Sequence, residues 1–515
     1  MTERRAKIMA TLGPASSEEL VLRELLKVGV DLIRLNLSHG TQDEHRGTIG
    51  RVRRVALAVR RHVPIVLDLM GPRYRLGLIP GDRRMLVAGE VVRLGEAAVG
   101  ADLPVDDPAF LAHLAPGERV LIDAGLIELT IETREGSVLS ARVANGGPIR
   151  SRKGLNLPDS TLPFVISPKD ASDIAFAVAE GADFLAASFV GEAAHVEAIR
   201  ALALEAGGAI PIIAKLERAA ALKNLDEISA AADGVMVARG DLGVEVALAT
   251  VPVWQKEIIA AARRAGKPVI VATQMLESMI EQPRPTRAEA TDVANAVFDG
   301  TDALMLSGET TIGRYPVEVV RTMAGIILEA EAYDRHRRPP RTSFRPLGAE
   351  QVRRRTPLDP TATAPECDPS LDVPDLVSAA AVFAADELGV RRIVAFSQSG
   401  FTARLAARYR PEAPIVAFTP DPRVARQLQL VWGVRPLLAE GDVEHLDGMM
   451  QVVDKKLQLA GLAEPGDRII VLMGHPIRER PLTNLMRVHR VRSAEEWERL
   501  RPEVDPHVQG EEVGP

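Results

Sequence analysis

One cysteine, Cys367, is all that this chain of 515 residues contains, so no internal disulfide can form. A lone thiol in a proline-rich stretch is assigned no role. Positive charge is not in excess: 63 Lys and Arg against 70 Asp and Glu leave a net charge of -7. The basic residues are scattered, which excludes the footprint of a nucleic-acid binder. No run of about 18 uncharged apolar residues occurs, and MTERRAKIMATLGP breaks at Gly13 and Pro14 before a signal-like segment develops. No membrane partner is therefore expected, and the chain reads as cytoplasmic. Lysine is scarce, with only ten among the basic residues, so Lys153 and Lys215 stand out from an arginine background.

What is present is an ordinary globular composition, 46% hydrophobic and 26% charged, in a chain long enough for two to four domains. Eight short apolar runs recur between residue 6 and about residue 330: KIMATLG, VDLIRLN, VPIVLDL, ADFLAAS, PIIAKLE, DGVMVAR, KPVIVAT and TDALMLS. Most are separated by an amphipathic helical stretch such as SSEELVLRELLKVG. Strands apolar on both faces and alternating with helices argue for a parallel sheet, and eight such units predict an α/β fold of the (β/α)8 TIM-barrel type. A doubly wound sheet is the alternative. The interval 73–152 has another texture, with alternating runs such as RVLIDAGLIELTIETREG broken by Gly and Asp, and predicts an inserted all-β lid domain, a small β-barrel.

The expected organisation is thus a first barrel part (1–72), the insert (73–152) and a second barrel part (153–333). A Pro- and Arg-rich linker (334–372), a C-terminal α/β domain of regulatory type (373–492) and an acidic tail (493–515) follow.

Three residues carry the first functional reading. Lys215 and Glu217 in PIIAKLE and Asp241 in DGVMVARGD lie at the downstream ends of their runs, where an α/β barrel presents its chemistry. Two carboxylates on adjacent strand ends can hold a divalent cation, and an ammonium beside them can neutralise a transferring phosphoryl group. IRLNLSHG places Arg34, Asn36 and Ser38 on alternate positions, suited to a phosphate and a cation, or simply to a polar strand end. Asp68 ends the third run, before Gly71-Pro72, Arg73 and Arg75. Gly240 and Gly243 flank Asp241, so that backbone N–H groups can approach an anion. Thr273 ends VIVAT, as a proton-relay hydroxyl or a satisfied strand terminus. Ser397, Ser399, Gly400 and Thr402 in FSQSGFTA form a hydroxyl-rich turn that reads as a phosphate cradle or a helix cap.

In this order, ATLGPAS, RLNLSHG, KGLNLP, AKLE, MVARGDLGVE, ATQMLESM, RPTRAEATDVANAVFDGTDALMLSGET and YPVE resemble pyruvate kinase, closely over about 6–330 and more loosely over 375–490. The resemblance implies phosphoryl transfer from phosphoenolpyruvate to ADP. It assigns Glu217 and Asp241 to Mg2+ (or Mn2+), Lys215 and Arg34 to the moving phosphoryl group, and the backbone at Arg239, Gly240 and Asp241 to the substrate carboxylate. Thr273, with Ser307 and Glu309, falls on the proton-delivery side. Arg75, Lys153, Asn36 and His39 fall to the nucleotide. It also implies a homotetramer with a sugar-phosphate or nucleotide effector at the Ser397–Thr402 loop, although the partner loop GHPIRERPLTN is bulky and basic where relatives are glycine-rich, leaving Arg478 or Arg480 for a phosphate.

The chain departs from the family pattern after Asp68. Asn36, Ser38 and Asp68 match a monovalent-cation site whose fourth oxygen comes from a Thr, and Leu69 supplies none. Arg73 stands where a Glu is usual, as a basic residue does in potassium-independent members. Activity without potassium is therefore expected, with Arg73 supplying the charge. Two rivals share part of the pattern: another phosphoenolpyruvate-using barrel, which would leave the insert and Lys153 without a role, and a degenerate relative that senses metabolites without turnover.

Overall fold

A computed structural model describes residues 3–160, 163–337, 369–439, 445–475 and 482–500. The middle of the linker, Cys367, Arg478, Arg480 and the tail beyond residue 500 lie outside them. Two compact units are present, one made of the chain up to Arg338 together with Arg426–Gly433, the other of the remainder.

All eight apolar runs are strands: β1 (Lys7–Thr11), β2 (Leu32–Asn36) and β3 (Ile65–Asp68), then, after the insert, β13 (Phe184–Ala187), β14 (Ile212–Leu216), β15 (Gly234–Ala238), β16 (Val269–Ala272) and β17 (Ala303–Leu306). They close a parallel barrel in the order β1-β17-β16-β15-β14-β13-β3-β2. Alternate residues of each strand separate two cores. Met9, Leu32, Val66, Ile213, Met236 and Ile270 fill the interior, where they are joined by Leu430 from the Arg426–Gly433 segment. Ile8, Ile33, Leu67, Val235 and Val271 face the surrounding helices. Helix starts are set by local chemistry: Thr41 and Glu44 form a capping box on Gln42–Ala58, and Thr286 and Glu289 form another on Arg287–Asp299. No helix among the described residues is long and apolar enough to cross a membrane.

The insert contains β4 (Tyr74–Arg75), β5 (Arg83–Leu86), β6 (Val91–Gly95), β7 (Leu103–Pro104), β8 (Arg119–Ile122), β9 (Ile127–Glu135), β10 (Val138–Asn145), β11 (Gly147–Arg150) and β12 (Gly154–Asn156). Seven of these form one sheet in the order β4-β12-β8-β9-β10-β6-β7, and β5 pairs with β11. The sheet is less closed than a regular small barrel: its two edges meet only through the Leu76–Val105 bridge and flanking bonds from Gly77 N–H to Pro104 O and from Asp106 N–H to Arg75 O. The insert buries its own core, including Val92, Leu94, Val120, Leu129 and Leu139.

The second unit is a five-stranded sheet, β20-β19-β18-β21-β22, built from β18 (Arg392–Phe396), β19 (Ile415–Thr419), β20 (Val434–Leu438), β21 (Arg468–Met473) and β22 (Leu485–Arg490). Only β22 runs antiparallel. Buried Asp454 accepts bonds from His489 Nε2, Trp497 Nε1 and Arg492 N–H, which ties the short helix Ala494–Arg499 to this core.

Candidate active site

Five successive barrel staves present one polar layer. Met9, Leu32, Val66, Ala186 and Ile213 point into the barrel. Side chains alternate along a strand, so the residues two further on, Thr11, Arg34, Asp68, Ser188 and Lys215, point the same way at the downstream rim. They bond to one another in sequence around it. Arg34 Nη1 donates to Thr11 Oγ1 at 3.1 Å and Arg34 Nε to Asp68 Oδ2 at 2.7 Å. Lys215 Nζ donates to Ser188 Oγ at 2.7 Å and lies 3.3 Å from Asp68 Oδ1.

Burial of this layer sets its charges. Burial alone would pull Lys215 down, but Asp68 and Glu217 lift it above the ordinary lysine range, so it stays an ammonium. Asp68 is opposed by its own burial yet held below the usual carboxylate range by Lys215 and Arg34. Glu217 goes the other way: burial, then repulsion from Asp241, push it up despite Lys215. Its Oε2 accepts from Phe189 N–H at 2.7 Å. Its Oε1 is buried and faces the Lys215 ammonium at 2.8 Å. Two mutually repelling carboxylates, one with a buried oxygen faced by an ammonium, are oxygen donors of the kind a hard divalent cation takes. Among the described residues no group of three or more His, Cys, Asp and Glu side chains is arranged for a metal.

Beyond β15 the chain turns at once into the short helix Arg239–Glu245, whose first N–H groups are those of Arg239, Gly240 and Asp241. A side chain at Gly240 would place its Cβ 2.7 Å from Thr273 Cγ2, so only glycine lets the two turns meet. Thr273 itself has φ +78°. Its strained turn is held by the Arg239 guanidinium, which donates to Thr273 O at 2.7 Å and to Asp292 Oδ1 at 2.7 Å. Arg239 therefore offers a ligand its backbone, with its side chain committed elsewhere. Glu309 is committed too, accepting from Leu276 N–H and Ser307 N–H.

Several of the remaining expected residues line one of two cavities. Arg73, Arg75, Asn156, Phe189, Arg218, Asp241 and Glu245 line the one between barrel rim and insert. Arg34, Asn36 and His39 line the other, with Thr11 and Ser307. Arg75 also donates to Arg152 O at 3.1 Å. Lys153 is paired with Asp123 at 2.9 Å and lines neither cavity. Asn36 Oδ1 accepts from Ser38 N–H at 3.1 Å, and Leu69 is buried. In the second unit, Ser397 Oγ accepts from Thr402 N–H and Gly400 adopts a left-handed conformation before Phe401–Arg408. Thr402 Oγ1 bonds Thr483 Oγ1 at 2.8 Å. Thr11, Asn156, Ser188, Phe189, Arg218 and Glu245 are the site residues that sequence reasoning left without a role. Ser188 does end the run ADFLAAS, and that strand-end position is the one signal that could have found it.

The helix that follows β13, Ala193–Glu205, carries a histidine packed against the turn. His195 Nδ1 accepts from Gly191 N–H at 3.0 Å, and its ring stacks on Phe164 at 3.9 Å. Burial, opposed by Glu192 and reinforced by Arg218, holds the imidazole below the ordinary histidine range. Between the folded and unfolded values the unfolded chain binds the extra proton, so this contribution to stability is complete above the ordinary range and falls as pH drops through it. His195→Gln is expected to flatten part of the decrease in urea midpoint between about pH 7.5 and pH 5.5, the histidine range. Equal pH dependence in both proteins would rule the contribution out.

Comparison with known proteins agrees with this geometry. The family model for the pyruvate kinase barrel domain matches residues 3–320, and that for the pyruvate kinase alpha/beta domain matches 375–489. A pyruvate kinase of Mycobacterium tuberculosis is 40% identical over 496 residues, covering 95% of this chain and 98% of its own. One from Geobacillus stearothermophilus is 40% identical over 500 residues, covering 95% and 80%. One from Corynebacterium efficiens is 41% identical over 492 residues, covering 95% and 98%. With both domains matched in order and similarity running through nearly the whole chain, it belongs to the pyruvate kinase family of phosphotransferases.

Proposed function

We propose that this chain transfers the phosphoryl group of phosphoenolpyruvate to ADP, with Mg2+ or Mn2+ held by Glu217 and Asp241 and with no requirement for potassium. The observation that carries the reading is the buried Oε1 of Glu217, which faces the Lys215 ammonium at 2.8 Å, in a carboxylate that Asp241 repels. When bound, the divalent ion offsets negative charge on the phosphoryl group and orients its oxygens. Lys215 supplies a fixed positive charge where the group passes, and Arg34 holds it from the adjoining stave. A bond forms between phosphorus and a terminal oxygen of ADP while the bond from phosphorus to the enol oxygen breaks. The enolate then takes a proton at its terminal carbon, on the side of Thr273. The N–H groups of Arg239, Gly240 and Asp241 face the substrate carboxylate. Arg75, in the cavity beneath the insert, and Asn36 and His39, in the other, serve the nucleotide, while Lys153 reaches it only by leaving Asp123.

Independence from potassium follows from how the monovalent position is spent. Asp68 gives one oxygen to Arg34 and faces Lys215 with the other, while the Leu69 side chain is a buried alkyl group and its carbonyl oxygen accepts from Ser188. Arg73 stands over the Phe189 ring at 5.7 Å, bringing a guanidinium to the same rim. A coupled assay for pyruvate with phosphoenolpyruvate, ADP and Mg2+ is expected to give initial rates within a factor of about two with and without potassium chloride in sodium-free buffer. Strong activation by potassium would remove the second half of the reading, and no pyruvate under either condition would remove the first. A phosphorylated effector at the Ser397–Thr402 loop, a homotetramer and a cytoplasmic location complete the reading on family grounds.

A further inference from the structure

The Ser188–Phe189 turn touches Lys215, Asp68, Glu217 and Arg73. Ser188 is buried at 3% exposure. Its Oγ accepts from Lys215 Nζ at 2.7 Å and donates to Leu69 O at 2.8 Å, with Asp68 Oδ1 at 3.4 Å. Leu69 is the residue through which the chain leaves β3 for the insert, and Gly71 follows with φ +68°. A Cβ on Gly71 would lie 2.8 Å from Ser188 Cβ and 3.1 Å from Ser188 O, so hinge and turn are in close contact. From the far side Asp170 Oδ1 accepts from Gly71 N–H at 3.2 Å. Phe189, next along, has φ +59°, gives its N–H to Glu217 Oε2 and its ring face to Arg73.

We propose that Ser188 is a positioning residue whose hydroxyl ties the Lys215 ammonium to the hinge from which the β insert departs. One hydroxyl both orients the ammonium and grips Leu69 O, so a shift of the hinge is felt at Lys215, and the ammonium aims correctly only when the hinge is seated. A hydroxyl accepting from a cation and donating to a carbonyl is polarised in the sense that strengthens both bonds, and here it is out of water. The inference rests on the proposed role of Lys215 in phosphoryl transfer and adds to it.

Ser188→Ala removes one oxygen and adds no volume. In the full-length protein we expect kcat to fall at least 10-fold, KM for phosphoenolpyruvate and for ADP to stay within about twofold, and the unfolding midpoint to move by only a few degrees, since neither Lys215 nor Asp68 loses its charged partners. The same variant without any ligand should show faster amide hydrogen exchange in a peptide spanning 69–76, with the β14 peptide 212–216 unchanged. A kcat within twofold of the parent, or a loss carried by KM alone, overturns the positioning role. A kcat loss with unchanged exchange at 69–76 overturns the tie to the hinge. If the parent itself produces no pyruvate, the phosphoryl-transfer reading fails instead, and the exchange measurement still decides the tie.

Discussion

Lys215→Met is expected to lower turnover by about 10³-fold or more, because it removes a fixed charge from a buried layer in which charges act at close to full strength. The layer also shows what else the change costs. Lys215 is the counter-ion of Asp68 and Glu217, and stripping one partner from a buried pair destabilises by about 3–5 kcal/mol when nothing compensates. Here two things do. Asp68 keeps the Arg34 guanidinium at 2.7 Å, and Glu217, already pushed up by burial and Asp241, takes a proton more readily once the ammonium is gone. The unfolding midpoint should therefore fall by only a few degrees while pyruvate formation all but disappears. Steady-state kinetics beside a thermal melt separates the two effects. A variant that melts normally and retains more than about a tenth of parental kcat would mean that Lys215 does not face the moving group.

Glu217→Gln should act through the cation instead. The amide oxygen can still accept from Phe189 N–H, so the turn is kept, and one buried charge that repels Asp241 is lost. The change also takes from Lys215 one of its two buried carboxylate partners; Asp68 remains at 3.3 Å and offsets part of that loss, so the melting temperature is expected to fall by a few degrees at most. Activity is expected to drop by about 100-fold at millimolar Mg2+, with a higher Mg2+ concentration needed for half-maximal rate. The sign of the pH dependence follows from the same raised value. As pH falls, Glu217 takes its proton before an ordinary glutamate would, so the parent enzyme should approach the variant's Mg2+ requirement in acid, and the two should differ most at neutral pH and above. A variant with an unaltered Mg2+ titration would place the cation elsewhere.

How much of this was legible in the chain depended on the range of the interactions involved. The eight staves could be read because strands covered on both faces are continuous apolar runs, and the polar residue that ends each run is by construction at the rim. Arg34, Asp68 and Lys215 were found in this way. Partnerships at the rim were less accessible. One oxygen of Glu217 is taken by a backbone N–H from the next stave, and a backbone N–H has no letter in the sequence. Ser188 looked like any strand-end serine until Lys215 and Leu69 were seen on either side of it. Lys153 stood out by its scarcity as a lysine, yet Asp123 lies beside it across 30 residues of hairpin. In the second unit β20 (Val434–Leu438) escaped notice because VRPLL is too short and too interrupted to show a period.

The floor of the barrel comes from far along the chain. Leu430 is fully buried among Met9, Leu32, Val66 and Met305, and its neighbours are fastened to aspartates at the upstream strand ends: Arg426 to Asp183 at 2.7 Å, and Trp432 N–H to Asp302 at 3.0 Å. A ribosome will have finished all eight staves more than a hundred codons before it makes the leucine that closes them. Domains usually mature in the order in which they are synthesised, and this one must wait with an open underside until its last piece emerges.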